Sequence, residues 1–286
     1  MRGRAGHAKL GPVTDFAWLG RPLDARHLFA PERRALLATL RGLEPADWRR
    51  EAVPGWTVKD VAAHLLGDDY GRLARDRDGR PDPWTAPAPG ERFAAFVHRV
   101  NQQWVDAADL LSTRSLIETL EMTGRQIADL WQRSDPHATG RPVSWAGADP
   151  APLWLDCARD YTEYWVHRQQ IRLAVRLGDE RPPEPVLDAF MRALPHTLRD
   201  VAADEGAQVQ VRVDGSGAWT ATATAAGWSL APPPAPTPTA VVRLDPATAW
   251  RLCVRMIDPA EAVTRARLEG DTRLGAAACR ILSIIR

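Results

Sequence analysis

The stretch Asp160-Tyr161-Thr162-Glu163-Tyr164-Trp165-Val166-His167 lies in a long helical pattern that covers residues 152–177. Glu163 and His167 are four residues apart, so a helix places them on one face, one turn apart. The opposite side of the helical wheel carries Arg168, Arg172 and Arg176. If these arginines face water, the carboxylate and the imidazole face inward. A buried group of either kind needs a proton, a charged partner or a metal.

His64, on another predicted helix, is the candidate third member of this group. The helix follows the turn Pro54-Gly55-Trp56, and Thr57 with Asp60 forms an approximate capping box at its start. His64 lies at the edge of the apolar face of that helix. Two imidazoles and a carboxylate from facing helices are typical ligands of zinc or nickel, and a catalytic site leaves one position open.

The pattern therefore predicts a metal site at His64, Glu163 and His167. The alternative is that Glu163 and His167 form an ordinary surface pair. In that case His64 is a histidine at the edge of the core, bonded to a backbone carbonyl.

Composition excludes several classes of function. The 37 basic and 36 acidic residues leave a net charge of +1, which argues against a nucleic-acid partner. The sequence contains no apolar run long enough for a membrane span. Residues 1–9 are basic and no apolar stretch follows, which predicts a disordered tail rather than a signal peptide. No nucleophile elbow, phosphate-binding loop or dinucleotide-binding glycine motif is present.

The cysteines indicate a reducing compartment. Cys157, Cys253 and Cys279 form no CxxC motif and no even framework, so we expect a cytoplasmic protein with small thiols in its core. Cys157 is an alternative nucleophile, but it lies six residues before Glu163 and off the face that Glu163 shares with His167.

The order of patterns predicts two domains in the 286 residues. Helices are predicted over residues 31–42, 57–75, 91–111, 115–131 and 152–177, which indicates an all-α helix bundle. After residue 180 we expect an α+β region, with helices at 186–202, 246–256 and 272–284 and strands at 208–213, 218–225, 240–244 and 265–269. The predicted divisions are an irregular extension at 1–23, a helical domain at 24–180 and an α+β domain at 181–286.

Further candidate residues around the site are inferred only from their position in the sequence. Plausible pocket-lining residues are Arg99, Asn101, Gln103, Trp104 and Trp145. Asp68 either belongs to a solvated helix end or supports His64 from outside the ligand set. The histidines without ligand-like spacing are interpreted as ordinary: His7, His27, His98, His137 and His196.

Two motifs resemble those of a known family. Residues 54–65, Pro-Gly-Trp-Thr-Val-Lys-Asp-Val-Ala-Ala-His-Leu, are similar to the "PGW-T-x-x-D-x-x-x-H-L" signature of mycothiol-dependent maleylpyruvate isomerase-like proteins. Residues 161–167, followed by Gln170-Ile171-Arg172, match the second ligand motif of that family. The likeness extends over nearly the whole chain and includes the Leu-Glu-Gly-Asp of residues 268–271.

The resemblance implies a fold and a chemistry. It implies a DinB-like four-helix bundle that holds a divalent metal, usually zinc, through His64, Glu163 and His167. A smaller α+β domain like that of sterol carrier proteins would follow the bundle. Mycothiol would bind at the open metal position as a thiolate nucleophile. The resemblance identifies no substrate-binding residue.

We therefore expect a cytoplasmic metalloenzyme that uses mycothiol for cis–trans isomerisation of a maleylpyruvate-like substrate. A first alternative is a mycothiol S-transferase that acts on a small electrophile in detoxification or biosynthesis. A second alternative is a non-catalytic small-ligand-binding protein with a structural metal. The expected partners are a small-molecule substrate and a low-molecular-weight thiol, in a monomer or a homodimer.

Overall fold

The structure is a computed structural model that describes residues 15–80 and 87–284. The tail predicted at residues 1–9, with His7, and most of the loop predicted at residues 81–90 lie outside the described residues. Within the predicted extension at residues 1–23, the described part forms a short 3-10 helix, Ala17–Leu19, whose last residue is fully buried.

The amino-terminal half is helical. Its long helices are α1 (Phe29–Arg41), α2 (Val58–Arg72), α3 (Phe93–Ala108), α4 (Thr113–Arg133) and α5 (Leu153–Ala174). Helix α2 lies against α3, α4 and α5, and α1 lies against α4 and α5. Two short antiparallel ribbons precede α2 and α5, namely β1 (Glu51–Val53) with β2 (Trp56–Thr57) and β3 (Thr139–Gly140) with β4 (Ala151–Pro152).

The start of α2 is fixed by the predicted capping box. The backbone N–H of Asp60 donates to the Thr57 hydroxyl, and the Asp60 carboxylate accepts the backbone N–H of Thr57 at 2.8 Å. Both bonds satisfy donors that a helix start leaves open. At its other end α2 passes into a π-helical turn, Leu73–Arg77, instead of continuing as an α-helix to residue 75.

Helix α5 is buried on nearly all sides, which corrects one premise of the sequence interpretation. Arg168 does not face water: its side chain is 5% exposed and is held by Glu32 of α1 and by Glu180. The burial is tolerated because two carboxylates compensate the guanidinium charge. The face with Glu163 and His167 is therefore not distinguished from the opposite face by burial alone.

The carboxy-terminal half contains a sheet. Its strands are β5 (Gln208–Val213), β6 (Gly217–Thr224), β7 (Gly227–Ser229), β8 (Ala240–Leu244) and β9 (Arg267–Gly270). They stand in the order β7-β6-β5-β8-β9, with β5 and β8 parallel and the other neighbours antiparallel. A helical region followed by a sheet-containing region is the predicted order, and that prediction is confirmed.

Helices pack against the strands of the sheet, and here the predicted elements need correction. They are α6 (Glu184–Met191), α7 (Leu194–Leu198), α8 (Pro246–Cys253), α9 (Pro259–Arg265) and α10 (Thr272–Ala278). The single helix predicted over residues 186–202 is instead α6 and α7, with Pro195 in the first turn of α7. Proline lacks the N–H that a continuous helix needs in its interior, so it starts a new helix here. Strand β7 and helix α9 were not predicted.

The two halves pack against each other. The rings of Trp165 on α5 and Trp250 on α8 meet edge to face at 5.3 Å between centroids. The indole N–H of Trp250 donates to Asp179 at 3.0 Å. The Leu230 N–H donates to the carbonyl of Trp18 at 2.8 Å. The division near residue 180 stays a prediction.

No helix within residues 15–80 and 87–284 combines the length and apolar character needed to cross a membrane.

Candidate functional site

His64, Glu163 and His167 lie together where α2 meets α5. His64 is two turns into α2 and is 7% exposed. The Nε2 atom of His167 lies 3.4 Å from the Oε2 atom of Glu163. The imidazole rings of His64 and His167 are 4.9 Å apart between centroids and nearly perpendicular, at 86°. The structure thus brings His64 next to a Glu163–His167 pair that lies about a hundred residues later in the sequence.

Each histidine has a further polar neighbour on its own helix. The Nδ1 atom of His167 lies 2.7 Å from Oε1 of Gln170, and an amide oxygen only accepts, so Nδ1 carries a proton. The Nε2 atom of His64 lies 3.4 Å from Oδ2 of Asp68. These contacts place Gln170 and Asp68 beside the group; for Asp68 this is the second of the two alternatives that the sequence left open.

Electrostatics give the members of the group different protonation states. Burial and the nearby His167 together lower the pKa of His64 to about 3, so His64 is neutral at pH 7. Burial opposes charge on Glu163 and His167 as well, but their contact outweighs it: the pKa of Glu163 is lowered and that of His167 is raised. In this arrangement the two form an ion pair.

The donor types fit a divalent metal, whereas the side-chain positions form no finished ligand set. Imidazole nitrogens and carboxylate oxygens are ligands of zinc and of nickel. Among the described residues, however, no group of three or more His, Cys, Asp or Glu side chains is arranged so that it could hold a metal ion. Metal binding at His64, Glu163 and His167 therefore requires the Glu163–His167 pair to open and His167 to lose a proton.

A cavity of about 810 Å³ opens from this group and runs between α2, α3 and α5. Its apolar and aromatic lining includes Trp56, Tyr70, Val97, Trp104, Val166 and Ile284. Its charged lining includes Arg72, Arg75, Arg77, Arg80, Arg159 and Asp160. A concave, largely preformed pocket with a few convergent polar groups is the usual form of a small-molecule site.

A buried ionic cluster supports one end of the cavity. Arg72, with a side chain 3% exposed, donates to Asp156, Asp160 and Asp76. Arg159 donates from Nη2 to Asp156 and Asp160. Burial raises the pKa of Asp156, but the two guanidinium groups outweigh it and lower the pKa to about 2.

The sequence-predicted pocket residues divide into two sets. Asn101 and Trp104 line the cavity, and Trp104 donates its indole N–H to the Ala63 carbonyl at 2.7 Å. The other candidates, Arg99, Gln103 and Trp145, are not among its described lining residues. Arg99 instead pairs with Glu91, and Trp145 is buried in the core.

Two residues at the site were missed by sequence reasoning. His98, interpreted as ordinary, lines the cavity and stacks on Trp56 at 6.1 Å, while Trp56 lies 5.1 Å from the His64 ring. Arg159 was not singled out, although its position one turn before Glu163 was a signal that it shares that face.

Cys157 is not placed as a nucleophile. It is 2% exposed, and burial raises its pKa, so its thiolate is not available at neutral pH. It is not among the described residues that line the large cavity.

Comparison with known proteins finds a family model that matches most of the amino-terminal half. The model of the mycothiol maleylpyruvate isomerase N-terminal domain matches residues 29–172, just over half of the chain. No protein of curated function matches the sequence.

Two solved structures share the fold. A crystal structure of a mycothiol-dependent maleylpyruvate isomerase aligns with a TM-score of 0.51 at 16% identity, over 82% of this chain and 90% of that one. A histidine-to-alanine mutant of such an isomerase aligns with a TM-score of 0.50 at 15% identity, over the same shares, 82% and 90%. Identities this low show a common fold alone. The family model carries the assignment: the chain belongs to the mycothiol maleylpyruvate isomerase N-terminal domain family.

Proposed function

We propose that this protein is a thiol-dependent enzyme that acts on a small electrophile in the cavity between α2, α3 and α5, and that its reaction is cis–trans isomerisation of a maleylpyruvate-like substrate. The observation that carries the proposal is the meeting of His64, Glu163 and His167 at the cavity wall. Family membership supports mycothiol as the thiol.

We propose residues 24–180 as a DinB-like four-helix bundle domain, which would hold the metal. Residues 181–286 would form a second, α+β domain like that of sterol carrier proteins. The support is the position of the site, since its candidate ligands all belong to α2 and α5.

His64, Glu163 and His167 would hold a divalent metal, with zinc the first choice and nickel an alternative, because the donors are two imidazoles and a carboxylate. When bound, the metal would lower the pKa of a thiol so that the thiolate exists at neutral pH. Gln170 would keep Nδ1 of His167 protonated, which leaves Nε2 of the neutral ring as the ligand atom.

The cavity walls would orient the substrate and exclude water. Trp56 and Trp104 are anchored by their indole N–H groups, to Gln102 and to the Ala63 carbonyl, and so present fixed apolar faces. In isomerisation, the thiol adds across the cis double bond, the resulting single bond rotates, and elimination returns the thiol and the trans product. A fixed wall favours this sequence because it holds the substrate near the thiol while the bond rotates.

Metal content tests the site. We expect purified protein to carry one equivalent of metal and the His64→Ala variant to lose it. The matched control is His98→Ala, which removes an imidazole from the same cavity at a position that stacks on Trp56 instead of joining the group. Absence of stoichiometric metal from the wild type, or its retention in His64→Ala, contradicts the metal site.

Reaction type is tested separately. Thiol-dependent conversion of maleylpyruvate is compared with thiol conjugation of a generic electrophile such as a substituted maleimide. Isomerisation above the uncatalysed rate supports the proposed reaction, whereas conjugation without isomerisation supports the S-transferase alternative. Ligand binding with neither reaction supports the non-catalytic alternative.

A further inference from the structure

The cavity has two chemically different walls. One wall, from α3, presents Trp104 and Val97, and Ile284 from the last described residues adds to this apolar lining. The other wall, at the carboxy-terminal end of α2 and the start of α5, is formed by arginines and aspartates. A ligand that fills both parts needs an apolar body and a charged end.

Arg159 is the charged group best placed to meet such a ligand. It precedes Glu163 by one helical turn, so the two side chains start about 5–6 Å apart on one face of α5. Both of its hydrogen bonds to described residues leave from Nη2, toward Asp156 and Asp160. Its Nε is buried and has no hydrogen-bond partner within the described part of the chain, and the side chain remains 18% exposed. The guanidinium is thus anchored on one nitrogen and keeps further donors.

Two of the neighbouring arginines, Arg72 and Arg77, are already bonded to other side chains. Arg72 bonds aspartates through Nε, Nη1 and Nη2, and only 3% of its side chain is exposed. Arg77 uses its three nitrogens on Asp78 and Gln126. Arg159 differs from both because the two aspartates that orient it leave donors for a ligand.

We propose that the substrate is an electrophilic carboxylic acid with an apolar body, held by its carboxylate at Arg159 and by its body against Trp104, Val97 and Ile284. The proposal rests on the proposed thiol chemistry for the reaction, but not for the binding. One turn of α5 separates Arg159 from Glu163, so a carboxylate held at Arg159 would bring a double bond conjugated to the acid toward His64 and His167. The apolar body is the feature that distinguishes this substrate from maleylpyruvate itself, with which it shares the conjugated acid.

The chemical step that this substrate undergoes is a conjugate addition. The thiol sulfur forms a bond to the alkene carbon remote from the activating carbonyl, the π bond breaks, and the thiol proton ends on the adjacent carbon. Elimination reverses each change. No oxidant or reductant is consumed.

Binding of unreactive ligands tests the proposal without any turnover. The probes are 3-phenylpropanoate, its amide and succinate, titrated calorimetrically into full-length protein. We expect 3-phenylpropanoate to bind about tenfold or more tightly than the amide, because a charge-assisted bond to a guanidinium is added. Succinate should bind more weakly than 3-phenylpropanoate.

The variants are Arg159→Gln and Arg159→Lys. Arg159→Gln should lose the preference for acid over amide and keep its affinity for the amide. The retained amide affinity would also show that the variant is folded. We expect it to fold because Asp156 and Asp160 keep Arg72 as a partner. Arg159→Lys should keep part of the preference.

Equal wild-type affinities for acid and amide, or an unchanged preference in Arg159→Gln, overturn the role of Arg159. Succinate binding as tightly as 3-phenylpropanoate overturns the apolar body. Because no probe reacts, failure here is separate from failure of the thiol chemistry.

Discussion

Single polar side chains hold the site in place from positions outside it. Asp69, fully buried, accepts both terminal nitrogens of Arg33 at 2.7 and 2.8 Å and the hydroxyl of Tyr164 at 2.5 Å. Asp69 follows Asp68 and Tyr164 follows Glu163, so this network joins α2 to α5 directly behind the candidate ligands. Gln170 contacts the site from the other side, where its Oε1 atom lies at hydrogen-bond distance from Nδ1 of His167.

Replacement of Asp69 tests the structural part of this network. We expect Asp69→Ala to lower the free energy of unfolding by about 3–5 kcal/mol, because it leaves the buried Arg33 charge without its partner. Tyr164→Phe removes one hydrogen bond and should cost about 1–3 kcal/mol. Urea unfolding measures both. Similar small losses in both variants would contradict a charge-centred network.

Replacement of Gln170 tests the orientation of His167. If the metal proposal holds, Gln170→Ala should weaken metal affinity by about 10–100-fold, the usual effect of removing a partner behind a ligating histidine. The control is Gln103→Ala, which removes an exposed glutamine from α3. Competition with a chromogenic chelator measures affinity, and equal affinities in the two variants would show that Gln170 does not position the ring.

At the scale of elements, the cavity depends on how closely α3 approaches α2. A Cβ atom built on Gly67 would lie 2.5 Å from the Trp104 ring, so only glycine lets that indole reach the Ala63 carbonyl. Gly71, one turn later, faces the flexible end of Arg75 at 3.0 Å instead. Both glycines lie on α2, but only Gly67 is packed so closely that a side chain would collide with a neighbouring ring.

These glycines form a matched pair for mutation. Gly67→Ala should destabilise the protein by about 1–3 kcal/mol, because the added methyl group displaces Trp104. Gly71→Ala should be neutral or should stabilise by up to about 1 kcal/mol, since alanine is the better helix former and Arg75 can move. Thermal unfolding and tryptophan fluorescence measure both effects. An equal response would mean that Trp104 does not dock at Gly67.

The whole molecule brings distant segments to one cavity. Trp56 and Ile284 line it together although nearly the whole described chain separates them. Below it, the cluster of Arg72 and Arg159 with Asp156 and Asp160 ties the end of α2 to α5. The stability of the fold should therefore depend on the charge of these aspartates.

Acid titration tests this dependence. The pKa of Asp156 is about 2 in the folded protein against an ordinary value of 3.8, so its contribution is present above 3.8 and is lost as pH falls toward 2. At about 1.4 kcal/mol per pKa unit the contribution is on the order of 2 kcal/mol. The difference in unfolding free energy between wild type and Asp156→Asn should shrink by about this amount from pH 5 to pH 2. Asp129→Asn, on the exposed face of α4, is the control. A difference independent of pH would contradict the assignment.

Local features of this protein follow from its sequence alone. The capping box of Thr57 and Asp60, the one-turn spacing of Glu163 and His167, and the hairpin between β5 and β6 depend on hydrogen bonds and periods within a few residues. They were predictable because no distant neighbour is needed to form them. The two family motifs could also be read from the sequence, because each lies within a short continuous stretch.

Only the tertiary structure decided which groups meet and which face water. The helical wheel predicts a solvent-exposed Arg168, yet the side chain is buried and pairs with Glu32, 136 residues away in sequence. His98 of α3 and Arg159 of α5 are site residues because α2, α3 and α5 enclose one cavity. Glu163 and His167 pair with each other, and the described residues form no finished ligand set. Such outcomes depend on long-range packing and on compensation of buried charge, neither of which has a period in the sequence.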